Sequence, residues 1–344
     1  MYIFKSLVID IVSRVLATYN SNQVEEISLQ NNIVILTTKL TNASNKTPYS
    51  SVHALPASKN ICFKSIEFGE YYFVNIPSIS LFEWHPFSVS EQVSVNEIRF
   101  HIKSMGGSNT WTGKLAQKVL NNDITNLKVA LDGPYGSLSI NIALYKHITI
   151  LVGGIGITPM MPILSSIKKM GRAGYDHLNL VELIWSVRDI ETIKTFENQL
   201  FEIFDLNSNK NIEQIKSKSK TPSKSSKSTQ QVAVQDVNKY NMSVSDLGMG
   251  IRMQIQVYLT SNKIEGSNDL ETNNFIKTIP VKFSRLNIVE IVEQSAKRNI
   301  LSSDSTYDPY GSCVLLCGPK GMSQEAANLA VKNQIHYHNE IFNY

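Results

Sequence analysis

Four short motifs contain the residues whose types and spacing could do chemistry. The first, EWHPFSVS at residues 83–90, brings an imidazole, an aromatic ring and a hydroxyl close together at His85, Phe87 and Ser88. A flavin needs an aromatic group against its ring, a small donor near N5 and a strong hydrogen-bonding group for its phosphate chain. A strand with one His and one Phe is more often core packing, so this motif alone leaves both interpretations open.

The second motif, FHIKSMGGSNTWTGKL at residues 100–115, could hold a pyrophosphate. Lys103 would place positive charge beside it, and Trp111-Thr112 at the start of a predicted helix would offer a hydroxyl and free backbone N–H groups. An exposed strand end followed by an ordinary capped helix accounts for the same residues. The Gly-Pro pair in LDGPYGS at 131–137 indicates a turn.

The third motif, LVGGIGITPMMPIL at residues 151–164, has the form of a phosphate-binding turn. Gly154 and Gly156 would let the backbone approach a phosphate, Thr158 would cap the following helix and Pro159 would occupy its first position. Anions bind at such a helix start because unpaired N–H groups and the helix dipole point outward. Pro159 stands where the third glycine of the dinucleotide fingerprint would fall, and a tight structural turn is the alternative.

The fourth motif, LLCGPKGM at residues 315–322, ends a predicted strand. Ligands of parallel sheets lie beyond the carboxyl ends of the strands, so Cys317, Gly318 and Pro319 would face the same crevice as the third motif. A free cysteine is usually a small buried hydrophobe, and Cys313 fits that description.

The elements that must position these motifs fall into two groups, as expected for a chain of 344 residues. Before residue 145, short segments rich in β-branched and aromatic residues predict a small antiparallel barrel. They are 32–40, 61–66, 71–77, 97–104 and 127–133. After residue 145, strands alternate with helices, which predicts a parallel sheet with helices on its faces. These strands are 148–154, 178–187, 253–260 and 313–319, and the helices are 159–171, 190–204 and 321–333.

Composition limits the classes of function. The net charge is +4, but residues 206–230 carry six lysines against one acid, so the rest of the chain offers no basic surface for nucleic acid. The Ser- and Lys-rich segment 206–250 is predicted to be a disordered insertion, either merely tolerated or regulatory. Three cysteines form neither a disulfide framework nor a spaced metal cluster, which favours a reducing compartment.

Two apolar stretches could be mistaken for membrane spans. Residues 148–167 hold no charge, but their glycines, prolines and hydroxyls indicate a strand, a turn and a helix. Residues 1–20 are interrupted by Lys5, Asp10 and Arg14, so neither a signal peptide nor a spanning helix is expected. Their apolar residues recur at helical spacing, which predicts an amphipathic helix packed on the protein or lying on a membrane surface.

With the motifs in the order HPFS, Trp-Thr, GGIGITP and CGP, the sequence resembles the ferredoxin-reductase-like dehydrogenase half of the ferric reductase and NADPH oxidase superfamily, and especially the plant-type ferric-chelate reductases. The likeness extends to FVNIPSIS, LIWSVRD, IQVYLT and the terminal IHYHNEIFNY. It implies a juxtamembrane-like helix at 1–22, an antiparallel FAD-binding β-barrel at 23–142 and a parallel-sheet α/β NADPH-binding domain at 143–344.

The resemblance also implies roles for individual residues. FAD would be held by residues of the first two motifs: His85, Pro86, Phe87, Ser88, His101, Lys103, Trp111 and Thr112, with Lys103 and Thr112 near the pyrophosphate. The NADPH pyrophosphate would be bound by Gly154, Gly156, Thr158 and Pro159, and the nicotinamide would lie near Cys317, Gly318 and Pro319.

Two arginines and the C-terminal aromatics complete the implied site. Arg188 would read the 2′-phosphate of the adenosine, with Arg285 as a second contact, and solvated surface arginines are the alternative. Ser88, Cys317 and Tyr344 would act in catalysis. A terminal aromatic, Tyr344 rather than Phe342, would lie over the flavin ring, unless both rings merely seal the edge of the sheet.

The implied activity is hydride transfer from NADPH to FAD, followed by release of electrons one at a time. The acceptor that the resemblance implies is ferric chelate, reached through a haem-containing membrane domain or subunit. The haem would lie outside this chain, because none of the seven histidines lies on a spanning segment and no haem ligand is expected here. A superoxide-generating oxidase and a non-catalytic truncated fragment are the alternatives. The chain is expected at the cytoplasmic face of a membrane, without a metal site.

Overall fold

The computed structural model describes residues 14, 18, 21–40, 69–174, 177–204, 251–261, 279–300 and 306–341. Two sheets organise them. The first is antiparallel and the second is parallel, so the fold class predicted from the sequence is confirmed.

The first sheet has seven strands in the order β4-β3-β7-β1-β2-β6-β5. In chain order they are β1 (Asn22–Gln30), β2 (Ile33–Lys39), β3 (Tyr71–Asn75), β4 (His85–Ser88), β5 (Glu91–Ser94), β6 (Glu97–Lys103) and β7 (Lys128–Tyr135). Strand β4 also approaches β6, so the sheet curls around a core to which Leu36, Val74 and Phe100 contribute. Helix α1 (Trp111–Leu120) packs its Trp111 and Leu115 into that core.

The second sheet has six parallel strands in the order β11-β10-β9-β8-β12-β13. They are β8 (His147–Gly153), β9 (Leu180–Val187), β10 (Arg252–Leu259), β11 (Val281–Lys282), β12 (Ser312–Cys317) and β13 (His336–Glu340). The helices are α2 (Met160–Arg172), α3 (Ile190–Thr195), α4 (Glu197–Ile203), α5 (Ile288–Lys297) and α6 (Lys320–Lys332). All six residues of β12 are buried, as expected for a strand covered on both faces.

The structure differs from the sequence-based prediction at several elements. The helix predicted over 190–204 is two helices, because the backbone leaves the helical conformation at Phe196. Strands β1, β5, β11 and β13 and helix α5 were not predicted. The predicted strand at 61–66, the insertion at 206–250 and nearly all of the predicted helix at 1–22 lie outside the described residues. The domain boundaries remain predictions; the one at 142/143 falls within a short 3₁₀ helix between the sheets, Ile142–Leu144.

The two sheets are joined by direct contacts. Asn31, in the turn between β1 and β2, donates from its side-chain amide to the Glu191 carbonyl at 2.9 Å. Gln199 of α4 donates to the Glu91 carboxylate at 2.6 Å, and Glu91 also accepts from Arg99 at 2.7 Å. These bonds hold helices α3 and α4 against the antiparallel sheet. None of the helices among the residues described is long and apolar enough to cross a membrane.

Candidate active site

The first two motifs come together around Trp111. Strand β4 carries His85 and Phe87 and pairs with β3, so that Phe87 lies opposite Tyr72. The Phe87 ring stacks on Trp111 with centroids 5.8 Å apart, and the His85 ring lies 4.8 Å from the same indole. The exposed Pro86 and the buried Ser88 lie on the same strand. The structure therefore joins the HPFS strand to the start of α1.

Two nitrogens at this junction are buried without a hydrogen-bond partner among the described residues: Nε2 of His85 and Nε1 of Trp111. A buried polar group that lacks a partner is costly, and the majority find one. Burial lowers the pKa of His85, with Glu83 acting in the opposite direction, so the ring is held in its neutral form. A bound group with hydrogen-bonding oxygens or nitrogens would satisfy both positions, and FAD fits that requirement.

The loop between β6 and α1 is built around the helix start. Thr110 caps α1 by accepting from the Gly113 N–H at 3.1 Å, as a threonine at that position commonly does. The Thr112 hydroxyl, predicted to be available to a phosphate, instead accepts from the Met105 N–H at 3.1 Å. A Cβ on Gly113 would lie 1.9 Å from the Gly107 carbonyl oxygen, so the loop folds tightly over the helix. Lys103 ends β6 just before this loop and is half-buried.

His101 lies in different surroundings from His85. Its Nδ1 is 2.7 Å from the Ser90 hydroxyl, and its ring packs 4.5 Å from that of Phe196 in the second domain. Burial, assisted by the charge of Arg99, lowers the pKa of His101 to about 3, so the imidazole is neutral. A role for His101 in binding the cofactor remains a prediction.

The third and fourth motifs meet at the carboxyl ends of β8 and β12. These parallel strands are neighbours, with Val152 opposite Cys317. A Cβ on Gly156 would lie 2.5 Å from the Cys317 carbonyl oxygen, and a Cβ on Gly153 would lie 2.5 Å from Cδ of Pro319. Only glycine permits this approach, so the two motifs lie in contact at the carboxyl ends of the two strands.

The glycine turn itself is a 3₁₀ helix, Gly154–Ile157, that leads into α2. Gly154 has a φ of +54°, and a Cβ placed on it would have no atom of the described residues within 4 Å. That free space suits the close approach of a phosphate. The Trp185 indole fixes the turn by donating to the Gly154 carbonyl at 2.9 Å.

The predicted cap of the following helix is wrong. The Thr158 hydroxyl donates to the Ile155 carbonyl at 3.1 Å and does not cap α2. Thr158 already has helical backbone angles, so its side chain points back along the turn. Pro159 precedes the first residue of α2, Met160, which is one position later than predicted.

Arg188 and Arg285 lie at the same edge of the parallel sheet. Arg188 follows β9 and Arg285 lies three residues after β11, and both side chains are exposed. Because all strands run in one direction, these positions share an edge with the glycine turn and Cys317. Both guanidinium groups are thus accessible to a phosphate in solution.

Cys317 is buried, and the structure adds Glu340 beside it. Burial, together with the negative charge of Glu340, raises the pKa of the Cys317 thiol well above its usual range. Glu340 ends β13 directly opposite Cys317. Glu340 was not predicted as a site residue, although the polar strand HYHNE following a β-α unit was a usable signal. Phe342 and Tyr344 lie outside the described residues. Within the described ranges, no group of three or more His, Cys, Asp or Glu side chains could hold a metal.

Two domain families match the chain in succession. An FAD-binding domain family matches residues 35–139, and the ferric reductase NAD binding domain family matches residues 145–331. "Ferric reduction oxidase 8, mitochondrial" of Arabidopsis thaliana is 32% identical over 130 residues, which are 36% of this chain and 17% of that protein. "NADPH oxidase 1" of Mus musculus is 33% identical over 138 residues, which are 40% of this chain and 23% of that protein. The matched segments thus span less than a quarter of either relative.

A solved structure shares the fold over nearly the whole chain. A ferredoxin NADP+ reductase from Neisseria gonorrhoeae, solved with bound FAD and NADP, superimposes with a TM-score of 0.52 at 11% identity. The likeness covers 93% of this chain and 98% of that one. At this identity it speaks for the fold, in which an antiparallel sheet is followed by a parallel one.

Proposed function

The chain belongs to the ferric reductase NAD binding domain family, and we propose that it passes electrons from NADPH through FAD to a one-electron acceptor. The resemblance drawn from the four motifs is thereby confirmed. FAD and a nicotinamide dinucleotide are its cofactors, as the two matched domains require, and the chain is a flavin oxidoreductase. Its preferred acceptor in this proposal is ferric chelate, reached through a haem-containing membrane partner.

The observation that carries the proposal is the contact between the glycine turn and the CGP motif. Gly156 and Cys317 approach so closely that a single methyl group would not fit between them. At this edge the nucleotide would find the N–H groups of the turn, the accessible Arg188 and the buried thiol in one crevice. Gly154 and Gly156 would then hold the pyrophosphate, and Cys317 would lie against the nicotinamide.

The antiparallel sheet would hold the second cofactor. When bound, FAD supplies the conversion of two-electron to one-electron transfer. Phe87, backed by Trp111, offers an aromatic surface for a flat ring, and Ser88 offers a hydroxyl from the same strand. Nε2 of the neutral His85 and Nε1 of Trp111, which have no partner among the described residues, would both form hydrogen bonds to this ligand. The cost of leaving these groups unpaired would thus be recovered on binding.

Generation of superoxide is the second candidate activity. The relatives include both ferric reduction oxidases and NADPH oxidases at comparable identity. Both classes would share this dehydrogenase half, so the acceptor depends on the membrane partner. We place the chain at the cytoplasmic face of a membrane in either case.

The test is reduction of the bound flavin under anaerobic conditions. The purified chain should be yellow, and NADPH should bleach it. The thiols Cys317 and Cys313 form a matched pair, since both are buried on β12 but only Cys317 lies at its carboxyl end. Cys317→Ala should slow bleaching about tenfold or more, a barrier change of about 1.4 kcal/mol, while Cys313→Ala should not.

A folded, flavin-loaded chain that NADPH cannot bleach would contradict the proposal and leave only the non-catalytic fragment.

If NADPH does bleach the flavin, the acceptor is tested by adding ferric chelate or oxygen to the reduced chain together with a candidate haem partner. Formation of ferrous chelate supports the reductase. Formation of superoxide with no ferrous chelate supports the oxidase.

A further inference from the structure

Three polar groups connect the segment between the two sheets to the last strand. His338 of β13 is buried, and its Nδ1 lies 2.8 Å from the Ser139 hydroxyl and 3.1 Å from the Ser139 backbone nitrogen. Its Nε2 lies 3.1 Å from Oε2 of Glu340. Ser139 follows β7 by four residues, so this chain of contacts joins distant parts of the sequence.

The contacts determine which ring nitrogen carries the proton. A backbone N–H can only donate, so Nδ1 of His338 must accept from Ser139. The proton of the neutral ring is then on Nε2, which donates to the Glu340 carboxylate. The imidazole thus directs one hydrogen bond at Glu340 and is itself fixed by Ser139.

The carboxylate that His338 holds is adjacent to Cys317. In the parallel pairing of β12 and β13, Leu315 lies opposite His338 and Cys317 lies opposite Glu340. Alternate residues of a strand point to the same face, so His338 and Glu340 share the face of Leu315 and Cys317. On that face Leu315 and Cys317 belong to the core that the sheet forms with α2.

We propose that His338 is a positioning residue that holds the Glu340 carboxylate beside the Cys317 thiol, with Ser139 fixing the imidazole from the opposite side. The effect is to keep a negative charge next to the buried thiol, which adds to burial in disfavouring the thiolate. The consequence for hydride transfer rests on the proposed function above, whereas the arrangement of the three side chains does not.

The test measures the reactivity of Cys317 relative to Cys313 within the same protein molecule. The flavin-loaded chain is treated with iodoacetamide at pH 8, and alkylation of each cysteine is followed by peptide mass spectrometry. Cys313 is buried on the same strand, and burial alone raises its pKa, so it reports any general loosening of β12. The ratio of the two rates isolates the influence of Glu340.

His338→Phe and Glu340→Gln should each raise the ratio about three- to tenfold, because thiolate is the reactive form and its fraction changes tenfold per pKa unit. His338→Gln should restore a ratio close to the wild type, since its amide can still donate to Glu340. His336→Phe is the matched control, because His336 is on the same strand but bonds Tyr145 at 2.8 Å instead. It should leave the ratio unchanged.

Three outcomes would overturn the proposal: an unchanged ratio in His338→Phe, an equal rise in His336→Phe, or a double variant His338→Phe/Glu340→Gln that reacts well beyond Glu340→Gln. The last would mean that His338 acts through packing and not through Glu340. These thiol rates do not depend on turnover. A wild-type chain that NADPH cannot bleach would therefore contradict the proposed function while leaving this test intact.

Discussion

His101 of the antiparallel sheet packs its ring 4.5 Å from Phe196, the residue at which the second domain breaks one helix into two. Phe196 is fully buried and also meets Trp185 edge-on at 5.9 Å. The position of Phe196 thus links the core of the parallel sheet to the surface of the barrel. Burial in this contact, with Arg99 nearby, is why the pKa of His101 falls to about 3.

The first prediction is that stability falls on acidification below about pH 6.5. His101 has a lower pKa in the folded chain than in the unfolded chain, so between the two values the unfolded chain binds more protons. The free energy of unfolding then decreases as the pH falls, by at most about 1.4 kcal/mol per pH unit for this group. Urea unfolding midpoints between pH 7.5 and 4.5 measure the slope.

His101→Gln provides the comparison for that slope. The variant should be less stable at pH 7.5 yet lose less stability on acidification. His85 and His147 also have pKa values lowered by burial, so part of the slope should remain. An identical slope in the variant and the wild type would show that His101 does not contribute.

The second prediction separates the two glycines of the turn. Gly156→Ala should destabilise the fold by about 1–3 kcal/mol, because its Cβ would lie 2.5 Å from a backbone oxygen of Cys317. Among the residues that the structure describes, Gly154→Ala meets no atom within 4 Å, and it should cost only about 1–2 kcal/mol for its positive φ. Thermal unfolding measures both costs.

The order of the two variants should reverse for nucleotide binding. Relative to the stability that each variant loses, Gly154→Ala should lose more NADPH affinity than Gly156→Ala. The Cβ of Gly154→Ala would occupy the space through which a phosphate approaches, so NADPH affinity should fall even where the fold is well retained. NADPH titration of both variants decides the point. Full NADPH affinity in Gly154→Ala would exclude the turn as the phosphate site.

The sequence predicted the elements that are defined by local pattern. Strands β8 and β12 were found because buried parallel strands are continuous apolar runs, and α2 was found within one residue. Phe196, at which the predicted helix is divided, contacts His101 more than ninety positions away, and no local pattern records such a contact. Glu340 was missed because β13 is polar and exposes part of its length, so it lacks the apolar run of a central strand.

The site was predictable to a similar degree. The contact between the glycine turn and Cys317 was expected from the rule that parallel strands present their carboxyl ends together. That the Thr112 hydroxyl bonds the Met105 N–H depends on where the loop from Met105 folds back, which is set by tertiary packing and not by local sequence. The same holds for Thr158, whose hydroxyl was predicted to cap α2 and bonds Ile155 instead.

The third prediction concerns flavin binding. Phe87→Ala/Ser88→Ala should lower FAD retention, because it removes both the ring that stacks on Trp111 and the hydroxyl of β4. The ratio of flavin to protein after dialysis measures the effect. Val93→Ala, at an exposed position on β5 of the same sheet, serves as the matched control and should retain its flavin. Undiminished flavin in a folded double variant would refute the assignment.

The fourth prediction is that Arg188 gives the chain its preference for NADPH over NADH. A guanidinium group binds a phosphate through charge-assisted hydrogen bonds worth about 1.5–3 kcal/mol, or roughly ten- to a hundredfold in affinity. Arg188 follows β9 at the carboxyl edge of the sheet and is exposed, so its charge is accessible to the 2′-phosphate. Arg188→Ala should therefore weaken NADPH by that factor and leave NADH unchanged. Arg285→Ala, at the same edge but after the two-residue strand β11, should have a smaller effect of the same kind. The measurement is the dissociation constant of each nucleotide for the wild type and both variants. Equal losses of NADPH and NADH affinity in Arg188→Ala would show that Arg188 does not read the phosphate.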